Sequence, residues 1–418
     1  MTIQHIDGRM HYRAVLLLAI VFPGFLAAQQ QEKTRARDGF PSYVVQDLGT
    51  FGGPYSFSYN LDAAGVVSGG AATPNQNGDP LQAVVNAPQI AFLWDRGHLR
   101  NLHTLGGQNS VAAASNLSKL AAVDSETANM SRQGEDVCGF GTKLQCLAAT
   151  WKHGRLTALP LLPGGDNSYA ADMNNRGQVV GFADTDVYDL DCALARTAGF
   201  RFQSVVWGPS GQVRQLPPLG DDTVAFAFGI NDRGQVVGGS GVCSNTTPPP
   251  YPGAPHAVLW ERDGTTVDLG SLGGPNTIAT GINSRGDVAG TAVNADGLTR
   301  PFLSTPESRP MVEITPPKGF PAAIAPCCKV INDRREIVGF MLDSNGDSRA
   351  FLWKDGVMVD LNDLISKDSP WTLQSAAGIN DSGQIAGQGL IDGQVHAFLA
   401  TPCHRHEGRG ECCEDDDH

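Results

Sequence analysis

The string INDRGQVVG, residues 230–238, decides the fold because related strings recur along the whole chain. Clear copies begin at Met173 (MNNRGQVVG), Ile282 (INSRGDVAG), Ile331 (INDRREIVG) and Ile379 (INDSGQIAG), and weaker copies begin at Leu61 and Ser115. We call the second residue of each copy the anchor, and the seven anchors are Asp62, Asn116, Asn174, Asn231, Asn283, Asn332 and Asn380. They are 48 to 58 residues apart. Seven copies at about fifty residues indicate a repeat architecture.

Each repeat contains four strand-like segments. The repeat around Asn231 reads AFAFGIN, QVVGGS, HAVLW and TTVDLG, which are short runs rich in Val, Leu and aromatic residues. The anchor string is predicted to be the turn of a hairpin, since Asn and Asp favour turns and a Gly three positions later accepts a positive φ. That Gly is present as Gly65, Gly177, Gly234, Gly286 and Gly383. Lys119 and Arg335 replace it in the other two copies, and we expect looser turns there.

Four-stranded units of this length predict an all-β protein, a seven-bladed β-propeller. A parallel β-helix has shorter coils, and a string of immunoglobulin-like domains has cores of about 100 residues. The residue four before each anchor is small, which we interpret as the first strand lining a narrow channel: Ser58, Ala112, Ala170, Ala227, Ala279, Cys328 and Ala376. The segment Tyr43 to Gly49 resembles a fourth strand, and the last repeat ends at its third strand. We therefore expect the N-terminal strand to complete the last blade and close the ring.

The repeated units resemble the HAF-repeat family of predicted bacterial extracellular proteins. The resemblance rests on DLGSLGG from Asp268, on INDRGQVVG and on a third strand that reads His396-Ala397-Phe398, and it covers residues 43–402. Blades 2 and 3 depart most from the pattern, with AATW from Ala148 and SVVW from Ser204. The family implies bacterial export and a repeat fold, and it carries no established activity and no catalytic residues.

The N-terminus predicts export. Arg9, His11 and Arg13 precede an apolar run and then Ala27-Ala28, which is the order of a secretory signal peptide cleaved after Ala28. The apolar run is shorter than the roughly 20 residues of a membrane span. We therefore divide the chain into a signal peptide (1–28), a linker (29–42), the propeller (43–402) and an acidic tail rich in Cys and His (403–418). The localisation that follows is extracellular or periplasmic.

Composition excludes several functional classes. The formal net charge of −13 argues against nucleic acid and anionic membranes as partners. Glycine and proline, 50 and 26 residues, disfavour long helices, and we expect a monomer that is not embedded in a membrane. No phosphate loop, G-x-S-x-G elbow or H-E-x-x-H motif is present, so no catalytic residue, cofactor or metal is assigned.

Some polar clusters leave alternatives open. His404, His406, Cys412 and Cys413 in the tail could hold zinc or copper, although a solvated acidic tail is the simpler interpretation. Asp343 to Asp347 resembles the start of a calcium loop but lacks its Gly and its final Glu, which favours a polar turn. Carboxylates near blades 3 and 4 could act as an acid and base pair: Asp166, Asp184, Asp186, Asp189, Asp191, Asp221 and Asp222.

The insertions predict where a ligand binds. Connections between the second and third strands are long in blades 1–4 and minimal in blades 5–7, and long ordered loops are usually functional. Cys138 and Cys146 flank one such loop, and Cys192 and Cys243 lie in two neighbouring loops, so we expect one disulfide within the first pair and one across the second. The sequence thus predicts a secreted recognition or scaffold module that binds a glycan or an extracellular protein through blades 1–4. An extracellular polymer hydrolase or lyase is the alternative.

Overall fold

The computed structural model of the protein describes residues 39–74, 88–192, 198–246, 254–317, 321–324 and 329–403. The chain divides into two units, Met1–Phe40 and Pro41–His418. The predicted signal peptide, the tail ligands from His404 onward and the pair Cys327-Cys328 lie outside the described residues.

The second unit is a seven-bladed propeller, as the repeat predicts, and each blade is a four-stranded antiparallel sheet. Blade 1 contains β2 (Ser56–Leu61), β3 (Val67–Ala72), β4 (Gln89–Asp95) and β5 (His98–Asn101). Blade 2 contains β6 (Gly106–Ser115), β7 (Ala121–Met130), β8 (Leu144–Lys152) and β9 (Arg155–Ala158). Blade 3 contains β10 (Ser168–Met173), β11 (Val179–Tyr188), β12 (Phe200–Trp207) and β13 (Val213–Gln215). Blade 4 contains β14 (Val224–Ile230), β15 (Val236–Gly241), β16 (His256–Trp260) and β17 (Thr266–Asp268).

The last three blades have the same order. Blade 5 contains β18 (Gly273–Ile282), β19 (Val288–Asn294), β20 (Thr299–Thr305) and β21 (Ser308–Glu313). Blade 6 contains β22 (Ala322–Ala323), β23 (Ile337–Leu342), β24 (Ser348–Lys354) and β25 (Val357–Asp360). Blade 7 contains β26 (Thr372–Ile379), β27 (Ile385–Ile391), β28 (Gln394–Pro402) and β1 (Tyr43–Asp47). Among the described residues, short 3-10 turns lie at Leu190–Cys192, Cys243–Asn245 and Leu361–Asp363.

The N-terminal strand closes the ring, as predicted. β1 pairs antiparallel with β28 from Tyr43 opposite Pro402 to Asp47 opposite Phe398. The His396 Nδ1 lies 2.9 Å from the Asp47 Oδ2, so the histidine of the HAF string contacts the strand that completes the blade. Because the first and last strands share one sheet, the ring has no open seam between its first and last blades.

The small residue before each anchor has a different role from the predicted one. Ala112, Ala170, Ala227 and Ala279 are fully buried in the hydrophobic clusters between blades. A β-bulge follows each of them, and in most blades the residue opposite is a glycine, as in the pair Ala227 and Gly238. A Cβ on Gly238 would lie 2.0 Å from the carbonyl oxygen of Phe226. The small residue and the last Gly of the anchor string are therefore required by the bulge. The channel mouth is lined instead by the residues just before the anchors, among them Leu61, Ile230, Ile282, Ile331 and Ile379.

The anchor turns have one conformation throughout. The Gly three positions after the anchor has φ between +74° and +89° in five blades. Lys119 and Arg335 have φ of +55° and +62°, and each donates the same backbone hydrogen bond to its anchor carbonyl. The expectation of looser turns is therefore wrong. Ion pairs hold the long side chains, since the Lys119 Nζ lies 2.6 Å from Asp95 and the Arg335 Nε lies 2.9 Å from Asp287.

Candidate functional site

The two faces of the ring differ in construction. The turn face carries the connections between strands 1 and 2 and between strands 3 and 4, and the loop face carries the other connections. On the loop face, the connections between strands 2 and 3 run from residue 73 to 88, 131 to 143, 189 to 199 and 242 to 255 in blades 1–4. The equivalents in blades 5–7 run from 295 to 298, 343 to 347 and 392 to 393. We call the described parts of the three long connections of blades 2–4 the rim.

Two disulfides hold the rim, in the two pairings that the positions of the cysteines in the sequence predict. Cys138 and Cys146 are joined within blade 2. Cys192 and Cys243 are joined with a Cα–Cα distance of 4.8 Å, which links blade 3 to blade 4 across 51 residues of sequence. A native disulfide typically contributes about 2–4 kcal/mol of stability. The rim is therefore held by covalent bonds at the points where insertions would otherwise move freely.

A buried polar network joins the rim of blade 2 to blade 3. The Asp184 carboxylate accepts hydrogen bonds from the backbone N–H groups of Asp166 and Asn167, with a 2.7 Å contact to Asp166. The Asn167 Nδ2 donates to the Glu135 Oε2 at 2.7 Å, and its Oδ1 accepts from the backbone N–H of Cys146 at 2.9 Å. Arg132 covers the network from the solvent side, with its Nε 2.9 Å from the Asp166 Oδ1. All three carboxyl groups are about 1% exposed, so they organise the loops and are inaccessible to a large substrate.

Burial fixes the protonation of this network. Desolvation and the neighbouring Asp184 raise the pKa of Glu135 to about 10, so Glu135 is a neutral acid at pH 7. A neutral Glu135 can donate a hydrogen bond to the Asp184 carboxylate, which removes the repulsion between the two acids. The Arg132 guanidinium outweighs burial at Asp166 and holds the pKa of that carboxyl below its ordinary value.

An exposed apolar patch lies beside the blade 3 disulfide. Tyr188 is 59% exposed and Leu190 is 74% exposed, with Val187 next to them. The Tyr188 ring contacts Phe200 edge to face at 5.7 Å between centroids. Large apolar side chains that remain in water at an ordered site commonly mark a binding surface. The sequence indicates Tyr188 as an aromatic side chain that could stack on sugars, but it does not single out Leu190, which lies in an acidic stretch.

The seven anchors lie on the turn face and form a ring around the channel. Each of the six asparagines donates a hydrogen bond from its Nδ2 to the backbone carbonyl of the next anchor: Asn116 to Asn174, Asn174 to Asn231, Asn231 to Asn283, Asn283 to Asn332, Asn332 to Asn380 and Asn380 to Asp62, at 3.0 to 3.2 Å. Asp62 has no amide group, and its Oδ2 instead accepts from the Ser115 Oγ at 3.2 Å. The anchors therefore connect blades as well as forming turns, and this role was missed because one repeat gives no sign of its neighbour.

Among the candidate acid and base residues, Asp166 and Asp184 meet in the buried network, whereas Asp189 and Asp222 each have a separate partner, Arg201 and Ser240. Asp166 and Asp184 are buried, and the Asp189 Oδ2 is 2.9 Å from the Arg201 Nε. Within the described residues, no group of three or more His, Cys, Asp or Glu side chains is arranged to hold a metal ion. The Asp343 Oδ1 accepts backbone hydrogen bonds from Asn345 and Asp347, as expected for a polar turn. In the part of the chain that the structure describes, no helix is long and apolar enough to cross a membrane.

The fold and the rim define a propeller whose turn face carries short connections and whose loop face carries long connections linked by disulfides. No family model matches the chain, and no curated protein matches it. Among solved structures, a puromycin-hydrolysing peptidase from Mycobacterium tuberculosis is similar with a TM-score of 0.52 at 12% identity, covering 85% of this chain and 55% of that one. The β-propeller domain of the Trilobed protease from Pyrococcus furiosus is similar with a TM-score of 0.51 at 9% identity, covering 84% of this chain and 94% of that domain. At these identities the likeness establishes the propeller fold alone.

Proposed function

We propose that the protein is a secreted, non-catalytic recognition or scaffold propeller that binds a glycan or a surface protein on the loop face of blades 1–4. The observation that carries this proposal is the linked rim. Two disulfides and a buried polar network hold the enlarged loops of three adjacent blades on one face. Loops that are ordered before binding lose less conformational entropy when the ligand binds.

The exposed patch supplies contacts for such a ligand. Tyr188 presents an aromatic ring and a hydroxyl group, a combination that suits both sugars and protein surfaces. Leu190 adds apolar area at the start of the turn that ends in the disulfide residue Cys192. The two side chains are therefore presented by a segment whose backbone is covalently restrained.

Localisation outside the cytoplasm is part of the same proposal. Two disulfides in one chain are typical of oxidising compartments, and the signal-like N-terminus agrees with export. The resemblance to the HAF-repeat family is consistent with this localisation. A polymer hydrolase or lyase is the weaker alternative, because the best placed carboxylates are buried and occupied by hydrogen bonds.

The test is a binding screen of the full exported chain against arrayed glycans and purified envelope proteins. A Tyr188→Ala, Leu190→Ser variant should lose at least about tenfold in affinity, which corresponds to about 1.4 kcal/mol. The control is Leu298→Ser, since Leu298 is also an exposed leucine in a connection of the loop face, but in the minimal blade 5. Equal affinity of both variants for every ligand found would refute the rim as the binding surface. Polymer turnover that is lost on Asp186→Asn would instead support the enzyme.

A further inference from the structure

A groove on the turn face, opposite the rim, separates blade 2 from blade 3. Its volume is about 700 Å³. One wall is the side of blade 2 that carries Thr150 and Lys152 from β8 and Arg155 and Thr157 from β9. The other wall is the connection between strands 3 and 4 of blade 3, residues 208–211, and Arg176 comes from the anchor turn of that blade.

Two positive charges face each other on the blade 2 wall. Lys152 lies directly opposite Arg155, and Thr150 lies directly opposite Thr157, so all four side chains project from the same side of the sheet. Like charges at opposed positions of an antiparallel pair are destabilising. The equivalent pair is Asp95 with His98 in blade 1 and Lys354 with Val357 in blade 6. Blade 2 thus has a repulsion that an anion in the groove would relieve.

The cations of this groove have no acidic partner among the described residues. Lys152 and Arg155 form no ion pair there, and neither does Arg176, whose guanidinium lies beside Gly234 of blade 4. Some cations elsewhere on the turn face are paired, as with Arg334 and Glu336 at 2.7 Å, whereas Arg233 and Arg285 in other anchor turns form no ion pair among the described residues. In a chain of net charge −13, two unpaired cations at opposed positions of one hairpin, Lys152 and Arg155, favour an anionic ligand in this groove.

The positive strip continues around blade 2. A second groove of about 290 Å³, between blades 1 and 2, is lined by Arg100, Lys119 and His153. His153 also lines the first groove, so the two grooves meet at the turn between β8 and β9. Asp95 is the one carboxylate among the described residues that line either groove, and it is paired with Lys119. The strip therefore spans three blades with little opposing charge.

We propose that this strip binds a linear carboxylated polysaccharide, a uronic acid polymer. Guanidinium and ammonium groups suit regularly spaced carboxylates. The groove also carries the hydroxyl groups of Ser118, Thr150, Thr157 and Ser210, which can both donate to and accept from sugar hydroxyls. An acidic peptide is the less suitable occupant, because the blade 2 wall presents side chains of a sheet face rather than the free backbone edge used in strand addition.

The experiment measures binding of the full chain to polygalacturonate at low ionic strength, with dextran as the uncharged polymer. Lys152→Gln with Arg155→Gln should weaken polygalacturonate binding by about tenfold or more, and added salt should weaken the wild-type complex. The charge-matched control is Arg214→Gln with Lys367→Gln, two exposed cations that do not line either groove. Because the Lys152→Gln, Arg155→Gln variant lacks the repulsion, it should be at least as stable as the wild type. A loss of binding could therefore not be attributed to unfolding.

Three results would overturn the proposal: equal binding to dextran, no loss in the Lys152 and Arg155 variant, or tighter binding to an oligoglutamate of the same total charge. The last would identify an acidic protein segment as the ligand class. Because Tyr188 and Leu190 lie on the opposite face, this proposal and the rim proposal can fail independently of each other.

Discussion

The hydrogen-bonded ring of anchors predicts a large loss of stability when one asparagine is truncated. The Asn231 Oδ1 accepts from the backbone N–H groups of Arg233 and Gln235, at 3.0 and 3.1 Å. Its Nδ2 donates to the Asn283 carbonyl at 3.0 Å and to the Gln235 side chain at 2.8 Å. The side chain is buried, so water cannot fully replace these partners. At about 1 kcal/mol for each of these four hydrogen bonds, Asn231→Ala should cost about 4 kcal/mol of unfolding free energy.

The matched control is Asn294→Ala. The Asn294 Oδ1 accepts the same two local bonds, from the backbone N–H groups of Asp296 and Leu298. Its Nδ2 donates to Glu313 within its own blade, and the residue is only half-buried. Its truncation should therefore cost about 1 kcal/mol.

Denaturant unfolding followed by tryptophan fluorescence measures both variants, and hydrogen exchange shows where protection is lost. Asn231→Ala should expose amides of blades 4 and 5 together, whereas Asn294→Ala should affect blade 5 alone. Asn231→Asp should keep the turn but lose the link, because a carboxylate cannot donate to the Asn283 carbonyl. Equal losses for Asn231→Ala and Asn294→Ala would show that the anchors act only as turn residues.

Other expected outcomes follow from single contacts. Asp62→Asn supplies the amide that the ring lacks and should raise stability by about 1 kcal/mol in the same unfolding assay. Burial and the neighbouring Asp184 raise the pKa of Glu135, so the folded protein retains a proton that the unfolded chain releases above about pH 4.3. Stability should therefore fall as the pH rises from there through neutrality, and a titration of unfolding in Glu135→Gln should lack that slope. Replacing Cys192 and Cys243 together by Ser should cost about 2–4 kcal/mol and make the melting temperature insensitive to reduction of that bond. Gly238→Ala places a Cβ against a backbone carbonyl and should cost roughly 3–5 kcal/mol, measured by the shift in the unfolding midpoint.

The features predictable from the sequence are those that repeat or that lie close together along the chain. Seven copies of one string predict seven blades, and the fourth-strand pattern at Tyr43 predicts the closing strand. The disulfide pairings could also be predicted, because insertions of adjacent blades must lie side by side. In each case, the ring symmetry converts a position in the repeat directly into a position in space.

The features that sequence reasoning missed depend on contacts between blades. The link from Asn231 to Asn283 spans 52 residues and exists only because adjacent anchor turns meet at the channel. The regular turn at Lys119, which has a positive φ, could not be predicted either, because its ion-pair partner Asp95 belongs to the previous blade. In the sequence, the basic groove looks like an ordinary turn, and only the packing of blade 3 against blade 2 adds its second wall, residues 208–211.

The two faces differ in what their residues contribute: the anchors on the turn face join the blades, and the loop face carries the insertions. The anchors and the bulge glycines make side-chain and backbone contacts close to the channel, so all seven blades are joined at points that do not depend on the rim. Loops on the outer part of the loop face can therefore change length and charge without disturbing the blade interfaces, which explains why blades 1–4 tolerate insertions that blades 5–7 lack. The rim needs its own disulfides for the same reason: the anchor ring on the opposite face cannot order loops that project beyond the ends of the strands. The side chains proposed for recognition are thus not the ones that join the blades, and substitutions at Tyr188 or Lys152 should change binding while leaving the unfolding free energy close to that of the wild type.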